Sequence, residues 1–251
     1  AALAATGQKK YSQGFEPLPD GFRQVRFNDL EAVKAAVSDK TVAIMLELIQ
    51  GEGGVHVATK DFVSGLRALC DEKKILLIVD EVQTGIGRTG EFFAFKQYGI
   101  TPDIMTLAKA LGGGVPIGMM IVKKEIADTL QPGMHASTFG GSPLICRAAL
   151  AVMKAVHEEK LLGKAKKAGA YLFERLEVLR KHCALVKDIR GMGLMAGIEL
   201  TIPGKPVVAL CAQKGLLINC THDTVLRIMP ALNVTKKEID KALGILEMVL
   251  K

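Results

Sequence analysis

The sequence has no tryptophan and only three tyrosines among its 251 residues. Bases of single-stranded nucleic acids stack on aromatic side chains, so this scarcity disfavours a nucleic-acid surface although the formal net charge is +7. Much of the basic excess lies in residues 160–182, where apolar residues recur at helical spacing and place the lysines and arginines on the opposite face. A solvated helix face therefore explains most of the charge, and the mild positive bias also suits small anionic ligands.

Long apolar runs are also missing. The uncharged stretch at residues 110–122 is too short and too rich in glycine to cross a bilayer. The first residues lack the basic segment followed by an apolar one that marks a secretory signal. Hydrophobic residues make up 49% of the chain and charged residues 24%, as in soluble globular proteins. We therefore expect a cytoplasmic protein with no membrane partner.

Cysteines are few and scattered. The five of them form neither a CxxC pair nor a Cys/His ligand spacing: Cys70, Cys146, Cys183, Cys211 and Cys220. His182 beside Cys183 is a single adjacent pair without a second one, so no metal site is predicted. We expect reduced and mostly buried thiols.

Two nucleotide-binding signatures are incomplete. The apolar strand before Asp80 and Glu81 resembles a Walker B strand, but the chain contains no GxxxxGK[ST], which disfavours an ATPase. Residues 85–90 fit GxGxxG, yet that fingerprint should open a helix within a few residues of its strand. Here Asp80, Glu81 and Gln83 occupy the turn, and the apolar residues 92–95 follow. A dinucleotide fold is therefore disfavoured as well.

What the chain does contain is a pair of apolar strands, each followed by a reactive side chain. Residues 75–79 form an unbroken apolar run before Asp80, and residues 104–108 form another before Lys109. Ligands of parallel sheets collect at the carboxyl ends of strands, so we expect both side chains at one site. Lys109 precedes Ala-Leu-Gly-Gly-Gly, which predicts a lysine partly shielded from water. Such a lysine is suited to form a Schiff base with an aldehyde cofactor, while Asp80 keeps a pyridine nitrogen protonated.

Longer motifs carry a specific resemblance. DEVQTGIGRTG at residues 80–90, followed by TLAKALGGGVPIG at residues 106–118, resembles the class III, or ornithine-type, aminotransferases of fold type I. Three further segments agree: ELIQGEGGV at 47–55, HASTFGGSPL at 135–144 and NCTHDTVLRIMPALNVTKKEID at 219–240. Within the family, the last segment is most similar to the acetylornithine branch.

The resemblance runs from about Tyr11 to the C-terminus in the family's order. Members of the family are much longer, which implies that the first strand of the large domain and its glycine-rich phosphate-binding turn lie outside this sequence. We therefore expect the C-terminal portion of such an enzyme, and whether this chain alone is active stays open.

The pattern of elements agrees with the implied fold. Strands are predicted at residues 25–29, 41–48 and 75–81, with helices at 30–38 and 59–74 between them, the α/β pattern of a mostly parallel sheet. Ser142 is predicted to cap a long helix near residues 144–159, with Pro143 in its first turn.

After that helix the pattern changes to a helix, short strands and a final amphipathic helix at residues 236–250. We therefore predict an α/β protein of the PLP-dependent transferase fold type I. Residues 1–156 form part of the large cofactor-binding domain, and residues 157–251 form a small C-terminal α+β domain.

The resemblance implies pyridoxal 5'-phosphate as cofactor. Lys109 binds it and then moves a proton between substrate and cofactor, and Asp80 keeps the ring nitrogen protonated. Gln83 bonds the phenolic oxygen, and Thr138, ahead of a helix N-terminus, reaches the phosphate bound by the neighbouring subunit. The plain alternatives are a structural acid, a surface lysine, a loop glutamine and a local threonine turn.

Two further residues are implied in substrate binding. Arg227 holds a substrate carboxylate bidentately and Glu52 modulates it, although each alone would more often be a surface charge. Leu48 stands where the family usually has proline, so we expect a slight change of geometry at the end of that strand.

The implied reaction transfers the amino group of N-acetylornithine to 2-oxoglutarate, giving N-acetylglutamate semialdehyde and glutamate in arginine biosynthesis. The implied assembly is a homodimer with the active site at the subunit interface. Ornithine, 4-aminobutyrate and succinyl-diaminopimelate are alternative donors. A glutamate-semialdehyde aminomutase shares the aspartate and lysine, but residues 226–234 favour the transaminase. The alternative of another class is a non-catalytic fragment of such an enzyme.

Overall fold

Two four-stranded sheets organise the chain, which a computed structural model describes over residues 1–251. The first sheet contains, in spatial order, β1 (Ala43–Glu47), β4 (Leu76–Asp80), β5 (Ile104–Leu107) and β6 (Met119–Val122). β1, β4 and β5 are parallel, whereas β6 is antiparallel to β5. The predicted mostly parallel sheet is therefore confirmed. A short antiparallel pair follows β1, formed by β2 (Ile49–Gln50) and β3 (His56–Val57).

The second sheet is antiparallel throughout. Its spatial order is β7 (Val186–Met192), β8 (Met195–Leu200), β10 (Val225–Ile228) and β9 (Asn219–Thr221). The helices that follow the first sheet are α6 (Pro143–Glu158), α7 (Leu161–His182), α8 (Gly204–Gln213) and α9 (Lys236–Leu250). The earlier helices are α1 (Ala2–Thr6), α2 (Lys9–Ser12), α3 (Leu30–Ala36), α4 (Lys60–Lys73) and α5 (Lys124–Ala127), with 3₁₀ helices at Ala94–Tyr98 and Lys109–Gly112.

Helix α4 covers the first sheet because its apolar residues share one face. The Thr59 hydroxyl caps it by accepting the Phe62 N–H at 3.2 Å, and Lys74 ends it in the left-handed conformation. Its buried residues are Phe62, Val63, Leu66, Leu69 and Cys70. They pack with the inward side chains of β4, Leu77 and Val79, in one core that draws its buried residues from positions 33–98.

A second core lies between α7, α9 and the antiparallel sheet. Helix α7 buries Ala165, Ala168, Leu172, Leu176 and Leu179, and its lysines are exposed, as the periodicity predicts. Helix α9 starts with a capping box in which the Thr235 hydroxyl and the Glu238 carboxylate each accept the other residue's backbone N–H. Every buried residue of this core lies between positions 165 and 250. The division at residues 156/157 stays a prediction.

The strand predicted at residues 25–29 is wrong. This segment is irregular because its polar side chains bond to backbone instead of joining a sheet. Asn28 is in the left-handed conformation, and its side chain donates to the Val57 carbonyl at 3.0 Å and accepts the Thr59 N–H at 2.9 Å. Asp29 caps α3 through the Ala32 N–H.

The predicted cap of α6 is also wrong in part. Pro143 occupies the first turn as expected, but the Ser142 side chain makes no capping bond. Only its backbone carbonyl takes part, accepting the Cys146 N–H at 2.9 Å. All five cysteines are free thiols, of which Cys70, Cys183 and Cys211 are buried. No helix in the structure combines the length and the apolarity needed to cross a membrane.

Candidate active site

Three polar side chains stand in one row across the parallel sheet. Glu47 of β1 pairs with Asp80 of β4, which pairs with Thr106 of β5. Neighbours in register on adjacent strands share a face, so the three side chains project together near the carboxyl ends of the strands. The Thr106 hydroxyl is buried and has no hydrogen-bond partner. The Asp80 carboxylate accepts the Val82 N–H at 2.8 Å, which orients it at the end of β4.

Glu47 is a site residue that the sequence prediction missed. Burial raises the pKa of its carboxyl; the Gly51 N–H bond at 3.1 Å opposes this, and the charge of Asp80 adds to it. The charge of Lys109 lowers the same pKa. A signal was available, because Glu47 ends an apolar strand in the same manner as Asp80.

Lys109 lies two residues beyond β5 and begins a 3₁₀ turn. Its φ is 42°, a left-handed value that is unusual for a side chain of this size and is often found at functional positions. The predicted shielding from water is wrong for this chain, in which Lys109 is exposed. The physical reason is that the 3₁₀ turn packs its last two residues, Leu111 and Gly112, into a core shared with α6, whereas its first two, Lys109 and Ala110, are left exposed.

The turn after β4 is held in place by a buried carboxylate next to Asp80. Glu81 is buried, and its carboxylate accepts the Thr84 hydroxyl at 2.6 Å and the Phe95 N–H at 2.8 Å. Burial raises the pKa of the Glu81 carboxyl, and these hydrogen bonds lower it. Glu81 thus fixes the turn, whereas Asp80 faces the site. The glycines of GxGxxG form successive turns and do not open an α-helix, which is not the geometry of a dinucleotide fold.

Arg88 joins this turn to the antiparallel sheet. Its guanidinium donates to the carbonyls of Leu194, at 3.1 Å, and Pro230. Burial lowers the pKa of Arg88. The Leu194 N–H in turn donates to the Arg88 carbonyl at 3.0 Å. The two sheets are therefore held together next to the candidate site.

The second group of predicted residues converges from both sheets. Arg227 Nη1 donates to Glu52 Oε1 at 2.7 Å and to Gln83 Oε1 at 3.2 Å. Arg227 Nε donates to Asn219 Oδ1 at 3.3 Å. A Cβ on Gly51 would lie 2.6 Å from Gln83 Nε2, so glycine leaves the space for this side chain. The structure thus brings Glu52, Gln83 and Arg227 into contact.

Thr138 stands apart from these residues. It lies in an exposed segment between α5 and α6 and makes none of the side-chain hydrogen bonds that join the others. Its predicted contact involves a neighbouring subunit, so the position in one chain leaves that role a prediction. No group of three or more histidine, cysteine, aspartate or glutamate side chains has metal-binding geometry in the structure.

Comparison with known proteins identifies the family of the chain. Residues 1–250 match the family model described as aminotransferase class-III. The acetylornithine aminotransferase of Methanocaldococcus jannaschii is 53% identical over 98% of this chain and 62% of its own length. That of Caldanaerobacter subterraneus is 53% identical over 99% of this chain and 63% of its own length.

Solved structures agree. The ornithine aminotransferase from Toxoplasma gondii superposes with a TM-score of 0.93 at 34% identity, covering 97% of this chain and 59% of that one. The acetylornithine aminotransferase from Elizabethkingia anophelis gives 0.87 at 34% identity, covering 92% and 63%. The chain belongs to the class III aminotransferase family, and the predicted fold type I class is confirmed. It spans somewhat over three-fifths of the length of the relatives it matches.

Proposed function

We propose that this chain carries the catalytic lysine, the ring-nitrogen aspartate and the carboxylate-binding arginine of a pyridoxal 5'-phosphate-dependent aminotransferase. The observation that carries the proposal is that two groups of side chains meet around the carboxyl end of β4. One group is Asp80 and Lys109, which lie at or just after the ends of the neighbouring parallel strands β4 and β5, and the other is Gln83 with Glu52 and Arg227. Membership of the class III family supports the cofactor.

The side chains present fit this cofactor chemically. Asp80 supplies the anion for a pyridinium nitrogen, Lys109 an amine for the aldehyde carbon, and Gln83 an amide for the phenolic oxygen. Thr106 adds a buried hydroxyl that has no partner within the chain. When bound, the cofactor supplies an electron sink for the electron pair left on the deprotonated substrate carbon.

The chain's own residues then handle charge and protons. Lys109 Nζ would take the proton from the amino-bearing carbon of the substrate as a general base and give it up on the cofactor side as a general acid. The Asp80 carboxylate would favour a protonated ring nitrogen, because opposite charges stabilise each other at short range. The left-handed turn at Lys109 places the amine beyond the end of β5, where it can move between these roles.

Arg227 provides recognition of the substrate carboxylate. An end-on bidentate bond uses Nη1 and Nη2 of the guanidinium, and Glu52 occupies Nη1 at 2.7 Å. A substrate carboxylate that binds end-on therefore has to displace the Glu52 carboxylate. Both 2-oxoglutarate and glutamate carry two carboxylates, so each can place one at Arg227.

N-acetylornithine is the donor that we propose, with 2-oxoglutarate as acceptor. The support is the identity of about 50% to proteins named acetylornithine aminotransferase. Ornithine, 4-aminobutyrate and succinyl-diaminopimelate are the donors to compare in the same assay.

The proposed partner is a second copy of the chain. A patch of exposed apolar side chains extends from β6 to the start of α6, with Phe139 85% and Leu144 77% exposed. Exposed apolar patches of this kind mark interaction surfaces. Thr138 is exposed and adjacent in sequence to Phe139, which supports the proposal that it contacts a neighbouring subunit.

The decisive test is borohydride reduction in the presence of pyridoxal 5'-phosphate, followed by mass spectrometry. We expect a pyridoxyl adduct confined to Lys109 and absent from Lys109→Ala. Lys96→Ala is the matched control, because Lys96 is also an exposed lysine. Adducts spread over many lysines, or none at all, would contradict a competent site in this chain.

The alternative is a non-catalytic fragment, which is favoured by the fact that the chain spans somewhat over three-fifths of its relatives' length. An assay with N-acetylornithine and 2-oxoglutarate separates the two functions. Activity of the isolated chain that disappears in Lys109→Ala would reject the fragment. Activity that appears only after addition of the N-terminal part of a relative would support it.

A further inference from the structure

The loop between β2 and β3 carries Glu52 and is held by the other sheet at two backbone carbonyls. The Thr221 hydroxyl, on β9, donates to the Glu52 carbonyl. Arg190 Nε, on β7, donates to the Gly54 carbonyl at 2.8 Å. These two bonds attach the loop on both sides of Gly53.

The register of the antiparallel sheet explains why the loop lies there. Arg190 pairs with Gly197 on β8, and Gly197 pairs with Arg227 on β10. The two arginines therefore project from one face with a glycine between them. A Cβ on Gly197 would lie 2.8 Å from the Cβ of Val55, so this glycine leaves room for the loop. Val55 is fully buried at that point.

Arg190 is itself held in place. Its Nη1 pairs with Glu199 at 2.6 Å and with Asp188 at 3.0 Å, and its side chain is 15% exposed. Two carboxylates thus take one end of the guanidinium, which leaves Nε directed at the loop. Gly54 has a φ of 106°, and a Cβ there would lie 3.4 Å from Arg190 Nη2.

The consequence concerns competition for Arg227. Because the loop backbone is attached on both sides, the Glu52 carboxylate is presented to Arg227 at a high effective concentration. An incoming carboxylate must displace it, so the strength of this attachment sets the affinity of the arginine for substrates. Neither Arg190 nor Thr221 needs to touch the substrate for this effect.

We propose that Arg190 and Thr221 are positioning residues, which hold the Glu52 loop so that Glu52 competes with substrate carboxylates for Arg227. This proposal rests on the proposed function, in which Arg227 binds those carboxylates. Weakening either attachment lowers the effective concentration of Glu52 and tightens the binding of a free dicarboxylate.

The test is calorimetric titration of the chain with glutarate. Arg190→Gln and Thr221→Val are each expected to tighten glutarate binding about fivefold, the effect of losing one hydrogen bond. Thr221→Ser retains the hydroxyl and is expected to bind as the unmodified chain does. Lys187→Gln is the matched control for Arg190, because Lys187 pairs with the same Glu199 at 2.6 Å but is 62% exposed and does not contact the loop.

A double-mutant cycle distinguishes positioning from general damage. In the background of Glu52→Gln the competitor is neutral, so Arg190→Gln is expected to have no further effect on glutarate affinity. An equal effect in both backgrounds, or no effect in either, would overturn the proposal. If Arg190→Gln fails to fold, the glutarate affinities of Thr221→Val and Thr221→Ser, each measured with Glu52 and with Glu52→Gln, test the proposal in the same way.

Failure of the proposed function has a different signature. If Arg227→Gln binds glutarate as tightly as the unmodified chain, the carboxylate site is not at Arg227 and both proposals fail. If Arg227→Gln weakens binding while Arg190→Gln and Thr221→Val match their controls, only the positioning role fails.

Discussion

Glu52 and Arg227 are 175 positions apart in the sequence, and their side chains meet at 2.7 Å. Glu52 lies in the loop between β2 and β3, shortly after β1 of the parallel sheet, whereas Arg227 lies on β10 of the antiparallel sheet. The candidate substrate site is therefore assembled from both sheets. Its geometry depends on the contacts that hold the sheets together, including those of Arg88 and Arg190.

Replacement of Arg227 by lysine tests whether glutarate binding needs the planar guanidinium with its two parallel N–H donors. We expect Arg227→Lys to weaken glutarate binding about tenfold, because lysine keeps the charge but forms no bidentate pair with a carboxylate. Titration calorimetry measures this. Arg175→Lys, which alters a half-exposed arginine paired with Asp240, is the control and should leave the affinity unchanged. Equal affinities for both variants would contradict bidentate binding.

Asp103 is expected to be the most sensitive ionic residue for stability. Its carboxylate accepts the Leu77 N–H at 2.7 Å and pairs with Arg67 at 2.8 Å and Lys123 at 2.6 Å. Asp103→Asn leaves these partners without an anion and should lower the free energy of unfolding by about 3 kcal/mol. Urea denaturation checks this, with the exposed Asp128→Asn as control.

The stabilisation by Asp103 should also be visible in the pH dependence of unfolding at low pH. Burial alone raises the pKa of the Asp103 carboxyl, but the Leu77 bond and the pairs with Lys123 and Arg67 outweigh burial and leave the pKa below its ordinary value of 3.8. The stabilisation is therefore present above pH 3.8 and lost as pH falls through the lower, folded-state pKa. Asp103→Asn should lack this acid-dependent loss.

The contribution of Glu47 to the free energy of unfolding should depend on pH in the opposite direction. Burial raises the pKa of its carboxyl above the ordinary value of 4.5, and Asp80 and Glu52 add to the rise, while the Gly51 bond and Lys109 oppose it. The folded state then binds a proton more readily than the unfolded state. Glu47 therefore destabilises the fold progressively as pH rises from 4.5 through the folded-state pKa.

The measurement is the unfolding free energy of Glu47→Gln at several pH values above 4.5. We expect the variant to gain stability relative to the unmodified chain as pH rises, because glutamine keeps an acceptor for the Gly51 N–H and carries no charge. Glu125→Gln, at an exposed position, serves as control. A constant difference between Glu47→Gln and the unmodified chain would reject the prediction.

Two glycines of α7 should respond in opposite directions to alanine. A Cβ on Gly169 would lie 2.6 Å from the backbone of Gly193, whereas a Cβ on Gly163 meets nothing within 4 Å. Gly169→Ala should lower the free energy of unfolding by about 2 kcal/mol through overpacking. Gly163→Ala should raise it by about 0.5 kcal/mol, because alanine loses less conformational entropy in a helix. Thermal and urea unfolding give both values.

Several elements could be predicted because their signals are local. The apolar run before Asp80 and the 3.6-residue periodicity of α7 each specify an element and its buried face. The capping residues Thr59 and Thr235 mark where α4 and α9 begin. The motifs around Asp80 and Lys109 were equally local, which is why the family could be inferred from them.

Other features depend on contacts between distant segments. Residues 25–29 have strand-like composition, yet Asn28 bonds to backbone near residue 58 and prevents a strand. Ser142 has the composition of a helix cap, but its side chain forms no cap bond. In both cases the local preference, for a strand or for a helix cap, was overridden by contacts with distant parts of the fold.

The sequence by itself determined the class of fold, the main helices and strands, and the residues that carry the proposed chemistry. Only the tertiary structure decided that Lys109 is exposed within the chain, that Glu47 and Thr106 flank Asp80, and that Arg190 and Thr221 hold the Glu52 loop. The physical reason is that periodicity and capping act over a few residues. Strand register and the packing of one sheet on another join positions whose separation along the chain leaves no local signal.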